Sequence, residues 1–339
     1  MNFGLIGCGA IARFHADAIG LTEDAVLAGV ADARQDAAKS FAETYQIRAY
    51  ESVEDLLSSP DIDAVCICTP SGLHAPLAIQ AAEHGKHMVI EKPMALTVAS
   101  AEEITAACEK NHVTAAIVSQ LRFSPDVQCV RSLVQSGEMG QIISANLEMK
   151  YFRSDEYYAA SNWRGTWKMD GGGALMNQGI HGVDIMSFIM GGVKSVSGQI
   201  KTLVKKIEVE DTAVAALEFC NGALGTLTAS VATAPGYPRT LTISSTKGTL
   251  VLEEQHIQSC DIAGVSLPQQ RAQQHNFGSS NPTDIPVEGH VQQITDFIAA
   301  VREQRDPFVS LAEGKKAIEI IEGIYTSSRT GKRVFLAEK

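Results

Sequence analysis

The sequence predicts an α/β protein: a doubly wound parallel sheet first, then an α+β domain with a large open antiparallel sheet. Three features predict this. Strand-like and helix-like segments alternate over the first 120 residues, a glycine-rich turn follows the first strand, and past residue 125 or so the pattern changes to consecutive two-residue alternation. A chain of 339 residues has room for two cores.

Segments 2–7, 26–32, 64–69, 87–92 and 114–120 are short, apolar and rich in branched residues, as strands covered on both faces should be. Amphipathic stretches near 10–20, 34–45, 52–58, 75–84 and 97–111 supply the helices between them, with right-handed crossovers. The first domain is thus expected over 1–122 and the second over 123–339. The second opens with a helix at 126–136 and a strand at 142–151, then a polar loop with both tryptophans, a glycine triplet and an apolar helix. Runs 193–204, 211–220, 223–233, 239–244 and 248–253 alternate like antiparallel strands, and Asn221-Gly222 marks a hairpin. Residues 260–286, rich in Gln, Ser, Asn and Pro, read as a surface excursion before helices at 288–304 and 311–328.

Composition removes several function classes. Lys+Arg total 28 against 39 Asp+Glu, a net charge of −11, so nucleic acid and anionic membranes are unsuitable partners. No apolar run reaches the roughly 18 residues of a membrane helix, and the chain opens directly on a strand, so no leader is expected. Seven cysteines with no Cys-x-x-Cys argue against a disulfide framework or zinc ribbon and for a cytoplasmic location. Cys66 and Cys68 alternate within one strand as small core fillers.

Gly7-x-Gly9-x-x-Ala12 lies directly after a strand and opens a helix. Glycines there allow a tight turn and close approach of a pyrophosphate, and the helix N-terminus favours its charge, which assigns Gly7, Gly9, Ala10 and Ile11 to a dinucleotide. Asp32 ends the second strand about 20 residues on, where a carboxylate binds a ribose 2′-hydroxyl and repels a 2′-phosphate. NAD is therefore the expected cofactor, with Arg34 leaving NADP open. Thr69-Pro70-Ser71-Gly72-Leu73-His74 follows the third strand, and its position puts Thr69, Pro70 and His74 beside the cofactor; the plainer alternative is a strand-to-helix turn capped by Ser71.

Glu91-Lys92-Pro93 ends a buried strand. In open α/β sheets ligands lie outside the carboxyl ends of the strands, so Lys92 points to where a nicotinamide would lie and is a candidate acid or base. Glu91 would orient the amine or the nicotinamide ribose. Asn177, His181 and Asp184 follow Gly171-Gly172-Gly173 at i, i+4 and i+7, a spacing that stacks them on one face of an α-helix. A lone histidine in a core helix is more often merely satisfied, but here Asn, Asp and glycines surround it. His84 and His87 bracket a helix-to-strand turn. His112, His256 and His275 have no partner at metal spacing, so no metal is expected.

The stretches G-L-I-G-C-G-A-I-A, C-T-P-S-G-L-H-A-P, G-K-H-M-V-I-E-K-P-M-A-L-T and D-G-G-G-A-L-M-N-Q-G-I-H-G-V-D, with the closing D-F-I-A-A-V-R-E-Q-R-D-P-F-V, resemble the Gfo/Idh/MocA (glucose–fructose oxidoreductase / inositol dehydrogenase) family over essentially the whole chain. The resemblance implies a Rossmann domain followed by an open-sheet domain that packs against another subunit, as a homodimer or homotetramer. It implies hydride transfer between NAD(P) and a hydroxyl carbon of a sugar, cyclitol or related compound. Lys92 matches the family's catalytic lysine, often before a cis proline, and His181 its catalytic histidine; Gln120 and Arg122 match positions near the nicotinamide. Many members carry Asp where this chain has Asn177, which can orient a hydroxyl but cannot accept its proton. The run W-R-G-T-W-K-M-D-G-G-G-A-L-M-N-Q resembles a branch acting on UDP-hexosaminuronates.

The expected activity is an NAD-dependent dehydrogenase with Lys92 and His181 handling the proton. Lys92, Arg122, Trp163, Arg164, Asn177 and His181 are the expected substrate contacts. The rival reading is a catalytically silent NAD-binding sensor, which would need neither Lys92 nor His181. Lys150, Arg153, Arg164 and Lys168, interleaved with aromatics, suit an anionic sugar derivative. Equally, they suit a solvated loop whose charges pair with Asp155, Glu156 and Asp170.

Overall fold

A computed structural model of the protein describes residues 1–265 and 286–336. His275 and most of the expected excursion at 260–286 lie outside the described residues. The chain forms two compact units, Met1–Gln120 with Pro286–Lys315, and Leu121–Ile285 with Lys316–Lys339.

The first unit alternates β1 (Asn2–Ile6), α1 (Ala10–Leu21), β2 (Val26–Ala31), α2 (Gln35–Tyr45), β3 (Arg48–Ala49), α3 (Val53–Ser58), β4 (Ala64–Ile67), α4 (His74–Glu83), β5 (His87–Ile90), α5 (Val98–Asn111) and β6 (Ala115–Ile117). The strands pair in parallel in the order β3-β2-β1-β4-β5-β6. β1 lies between β2 and β4, so the chain leaves β1 and β4 in opposite directions across the sheet. Their carboxyl ends bound the crevice that such a switch point opens, as the topology requires of a nucleotide fold. β3, two residues long, is too short to show as a pattern in the sequence.

In the second unit follow α6 (Pro125–Gln135), β7 (Ile142–Lys150), α7 (Asp155–Ala159), a π-helical turn (Ala174–Gly179), α8 (Ile180–Met190), β8 (Val193–Lys201), β9 (Thr212–Phe219), β10 (Leu224–Ser230), β11 (Thr240–Ser245), β12 (Gly248–Glu253) and β13 (His256–Cys260). With β14 (Val334–Phe335) they form an eight-stranded sheet, β13-β12-β11-β7-β10-β9-β8-β14. The sheet is mixed rather than purely antiparallel: β7 and β10 run parallel from Leu224↔Ser144 to Ser230↔Lys150. A parallel neighbour needs a long crossover, which the stretch through α8 provides. The Asn221-Gly222 hairpin joins β9 and β10 as expected, with Gly222 at φ 85°. Along β9, Ala213, Ala215, Leu217 and Phe219 are buried, while Val214 faces out.

α9 (Glu288–Glu303) and α10 (Leu311–Thr330) complete the order. α9 returns to the first unit, a crossing that a single boundary after residue 122 does not contain. Ile294, Phe297 and Ile298 enter the core with Phe3, Leu5, Cys66 and Val89, and the rings of Phe3 and Phe297 lie 6.0 Å apart. Hydrophobic burial draws this helix home across some 160 intervening residues.

Candidate active site

The first unit's candidate groups stand at strand ends. Gly7 has φ +99°, and a Cβ there would lie 2.9 Å from the Cys68 carbonyl oxygen, so only glycine lets the turn pass between β1 and β4. A Cβ on Gly9 would meet no atom within 4 Å. The N-cap of α1 is Gly9, which has no side chain to cap the first turn, and Gly9 and Ala10 are exposed with Ile11 half-buried. Asp32 accepts the Cys8 N–H at 2.7 Å on one oxygen and the Arg34 N–H at 2.8 Å on the other, which fixes its carboxylate at the rim. Arg34 points outward, its side chain 71% exposed.

The hydroxyl of Thr69 and the amide oxygen of Gln120 are buried yet meet no hydrogen-bond partner among the described residues. Such orphans call for a ligand or water. With the cradle at Gly9 they fit a bound dinucleotide, Pro70 lying half-buried in the same loop as Thr69. His74 does otherwise than expected. Only 1% exposed, it sets its ring nitrogens against the carbonyls of Pro93 at 2.7 Å and Thr69 at 2.9 Å. It ties the two loops together from behind, and burial lowers its pKa.

Lys92 is half-buried at the end of β5, joined to Pro93 by a cis peptide. Glu91 turns inward, 5% exposed. One of its oxygens meets His15 Nε2 at 2.9 Å and the other accepts the Lys92 N–H at 3.1 Å. Burial alone would raise the Glu91 carboxyl, but the His15 hydrogen bond and charge bring it down to about 2. His290 of α9 stands edge-on to His15, ring centroids 5.5 Å apart. One donor atom each from His15, Glu91 and His290 fall within 4.8 Å of one another, the one buried cluster among the described residues able to hold a metal. No sequence spacing announces it, since its members come from three distant elements.

The second unit's candidate groups hang on a π-turn of their own. The expected continuous α-helix is interrupted: Ala174–Gly179 is π-helical, so Asn177 lies in the π-turn while His181 and Asp184 lie in α8. Asn177 and His181 are half-buried. Asp184 instead accepts Arg122 Nε at 2.9 Å and Nη2 at 2.5 Å. Arg122, expected among the substrate contacts, is 1% exposed and lies over the Phe188 ring at 4.5 Å; its guanidinium is committed to α8.

Two carboxylates set up the turn. Glu210 accepts the N–H groups of Gly173 at 3.0 Å and Leu175 at 2.8 Å and the Tyr325 hydroxyl at 2.9 Å. Gly172, at φ +157°, leaves no room for a Cβ against that hydroxyl. Asp170 accepts the Gly165 N–H at 2.8 Å and also the Asn177 side-chain amide. Asn177 Oδ1 accepts Gln178 Nε2 at 2.9 Å, and Gln178 Oε1 in turn accepts Arg153 Nε at 3.0 Å and Nη2 at 2.7 Å. This chain fixes which end of each amide points where. Asp170 was expected only as a partner for the basic loop, and Gln178, Glu210 and Tyr325 carried no signal in the sequence beyond the nearby glycine triplet.

Arg164 donates to the Tyr157 carbonyl at 3.3 Å and lies over the Tyr157 and Trp163 rings at 4.4 and 5.1 Å, with its Nε buried and unpartnered among the described residues. Of the acids proposed to neutralise this loop, Asp155 pairs with Lys205 at 2.9 Å, and Lys150 pairs with Glu148 instead.

Residues 1–119 match the sequence profile of the GFO_IDH_MocA oxidoreductase family, NAD-binding Rossmann fold, and residues 127–251 match that of the GFO/IDH/MocA C-terminal domain. The chain is 30% identical to the uncharacterized oxidoreductase YrbE of Bacillus subtilis over 77% of this chain and 76% of that protein. It is 25% identical to myo-inositol 2-dehydrogenase of Thermotoga maritima over 94% and 93%. The WlbA dehydrogenase of Bordetella pertussis, solved in complex with NADH and UDP-GlcNAcA, superposes with a TM-score of 0.89 at 32% identity, covering 100% of this chain and 99% of that one. The chain thus belongs to the GFO/IDH/MocA family and is an NAD-dependent oxidoreductase acting on CH–OH groups.

Proposed function

We propose that the protein oxidises a secondary hydroxyl of a nucleotide-linked sugar bearing a carboxylate, with NAD as the oxidant. The observation that carries the anionic part is Arg164, standing on two aromatic rings with a buried Nε that no described residue satisfies. The similarity to WlbA, which binds UDP-GlcNAcA, supports the same substrate class. Bound NAD supplies the hydride acceptor. Gly7, Gly9, Ala10 and Ile11 hold its pyrophosphate, Asp32 its ribose hydroxyls, and Thr69, Pro70 and Gln120 the nicotinamide side. Lys92 and His181 handle the hydroxyl proton, and Asn177, fixed by Asp170 and Gln178, orients the hydroxyl without accepting its proton. Arg122 and His74 act at one remove, holding α8 and the Thr69 loop.

The test is NADH formation with UDP-GlcNAcA, UDP-GlcNAc and myo-inositol. The uronate should give the highest kcat/KM, and Arg164→Ala should lower it about tenfold or more. Equal kcat/KM for the cyclitol, untouched by Arg164→Ala, defeats the anionic substrate, as does no turnover of the uronate. Assembly belongs to the same proposal. Val214 and Leu224, 47% and 64% exposed on the second unit's strands, suit a second copy of the chain, and light scattering should give at least twice the 36.2 kDa protomer.

A further inference from the structure

Glu91 is a carboxylate one residue away from Lys92. Left uncompensated in a buried place, it would favour the ammonium form of the lysine, the wrong form for accepting a proton. The groups facing Glu91 are His15 from α1, His74 at the start of α4, Lys92 itself and His290 from α9; His15 also faces Cys66 and Cys68 of β4 and the segment after it. Burial drives His290 down to about 4, with the charge on His15 adding to the effect, and burial lowers His74 too. Burial also works against a charge on His15, but the sulfurs and Glu91 outweigh it and hold its imidazole well above the usual histidine range. The histidine placed to carry the charge is His15, 1% exposed and 2.9 Å from Glu91.

We propose that His15 is a positioning residue for Lys92: it neutralises Glu91 from behind and holds that carboxylate so that its second oxygen fixes the Lys92 backbone N–H. The proposal rests on reading Lys92 as a proton-handling group. Three contacts carry it: His15 to Glu91 at 2.9 Å, Glu91 to the Lys92 amide at 3.1 Å, and the edge-on His290 ring that closes the cluster from α9. An ion pair turned away from Lys92 acts on it as a dipole, and its field falls off faster than that of a lone charge. His15 thereby leaves the Lys92 amine closer to its neutral form than an unpaired Glu91 would.

The test compares the pH dependence of kcat/KM with UDP-GlcNAcA for wild type, His15→Gln, Glu91→Gln and the double variant, each checked for NADH binding by fluorescence. Glutamine at 15 can still donate to Glu91 but brings no charge. The ascending limb should move up by roughly one pH unit in His15→Gln, since a bare carboxylate favours the lysine's charged form. It should return to within a few tenths of a unit in the double variant, which strands no charge. A purely structural role for His15 would make the double variant no better than the single.

An unmoved limb in a folded His15→Gln protein overturns the proposal, as does failure of the double variant to restore it. The wild-type protein supplies a second readout, independent of variant folding and of turnover: NMR of labelled histidine should find the His15 imidazole protonated at pH 7, and a neutral one overturns the proposal. A stoichiometric divalent metal in the purified protein, lost in His290→Ala, would also overturn it by making the cluster a metal centre. Full turnover in Lys92→Met would instead sink the reading of Lys92, leaving the His15 charge to be judged by NMR alone.

Discussion

The two units build their functional groups in different ways. In the first, the candidate groups stand at the ends of parallel strands, and backbone sets them: the Gly7 turn, the amide-held Asp32 carboxylate and Lys92 fixed through its own N–H. In the second, side chains hold side chains. Arg153, Gln178, Asn177 and Asp170 form one hydrogen-bonded line, and Glu210 with Tyr325 pins the turn that carries it. Backbone-built sites leave a motif in the sequence, because glycines and strand ends recur at fixed offsets. Sites built by side chains leave scattered polar residues whose pairing only the fold discloses.

This contrast can be broken or sharpened by substitution. The largest effect should come from Lys92→Met, lowering kcat about two orders of magnitude or more while the Kd for NADH stays within about twofold. An active variant would remove Lys92 from the chemistry. Next is Gly172→Ala, which must seat a Cβ against Tyr325 at φ +157°. About 2 kcal/mol of stability should go, with Tm falling several degrees by calorimetry; an unchanged Tm would mean the pin is loose. Asp32→Ala should weaken NAD binding about tenfold, some 1.4 kcal/mol, and narrow the preference over NADP by titration. A wild type already favouring NADP would transfer that role to Arg34.

A smaller effect is expected for Asn177→Asp, which sets a second carboxylate against Asp170. Two acids so close share a proton, so kcat/KM should drop about fivefold at neutral pH and recover as pH falls and the pair protonates. Adding Asp170→Asn should restore much of the loss at pH 7; no restoration would show that Asn177 does not depend on Asp170. The smallest is Lys150→Ala. The Lys150–Glu148 pair is 44% and 51% exposed, and such pairs are worth below about 1 kcal/mol. Tm should move by no more than a degree or two.

The same contrast explains what the sequence disclosed. The parallel sheet, the glycine turn after β1 and the places of Asp32 and Lys92 at strand ends were legible because each depends on local pattern and strand order. The parallel pairing of β7 with β10 was not, since two-residue alternation reports which face is buried and says nothing of strand direction. The π-turn was hidden because nearly every residue around it is buried, which erases the period that would distinguish one helix type from another. Arg122 was expected near the nicotinamide from the family resemblance alone, and only the fold brings Asp184 to it. His15 and His290, 275 positions apart, share no pattern at all.

The return of α9 to the first unit bears on how the protein can be made. Phe297, Ile294 and Ile298 belong to the same apolar cluster as Phe3 and Leu5, so the nucleotide-binding half lacks part of its interior until residue 298 has been synthesised. During translation the opening segment must wait, incompletely covered, while the whole intervening half emerges and gathers itself. A fragment cut after residue 120 would present to water the bare patch that α9 normally shields, and should aggregate or recruit a chaperone. The same fragment joined by a short linker to 286–315 should be soluble, turning a discontinuous unit into a contiguous one.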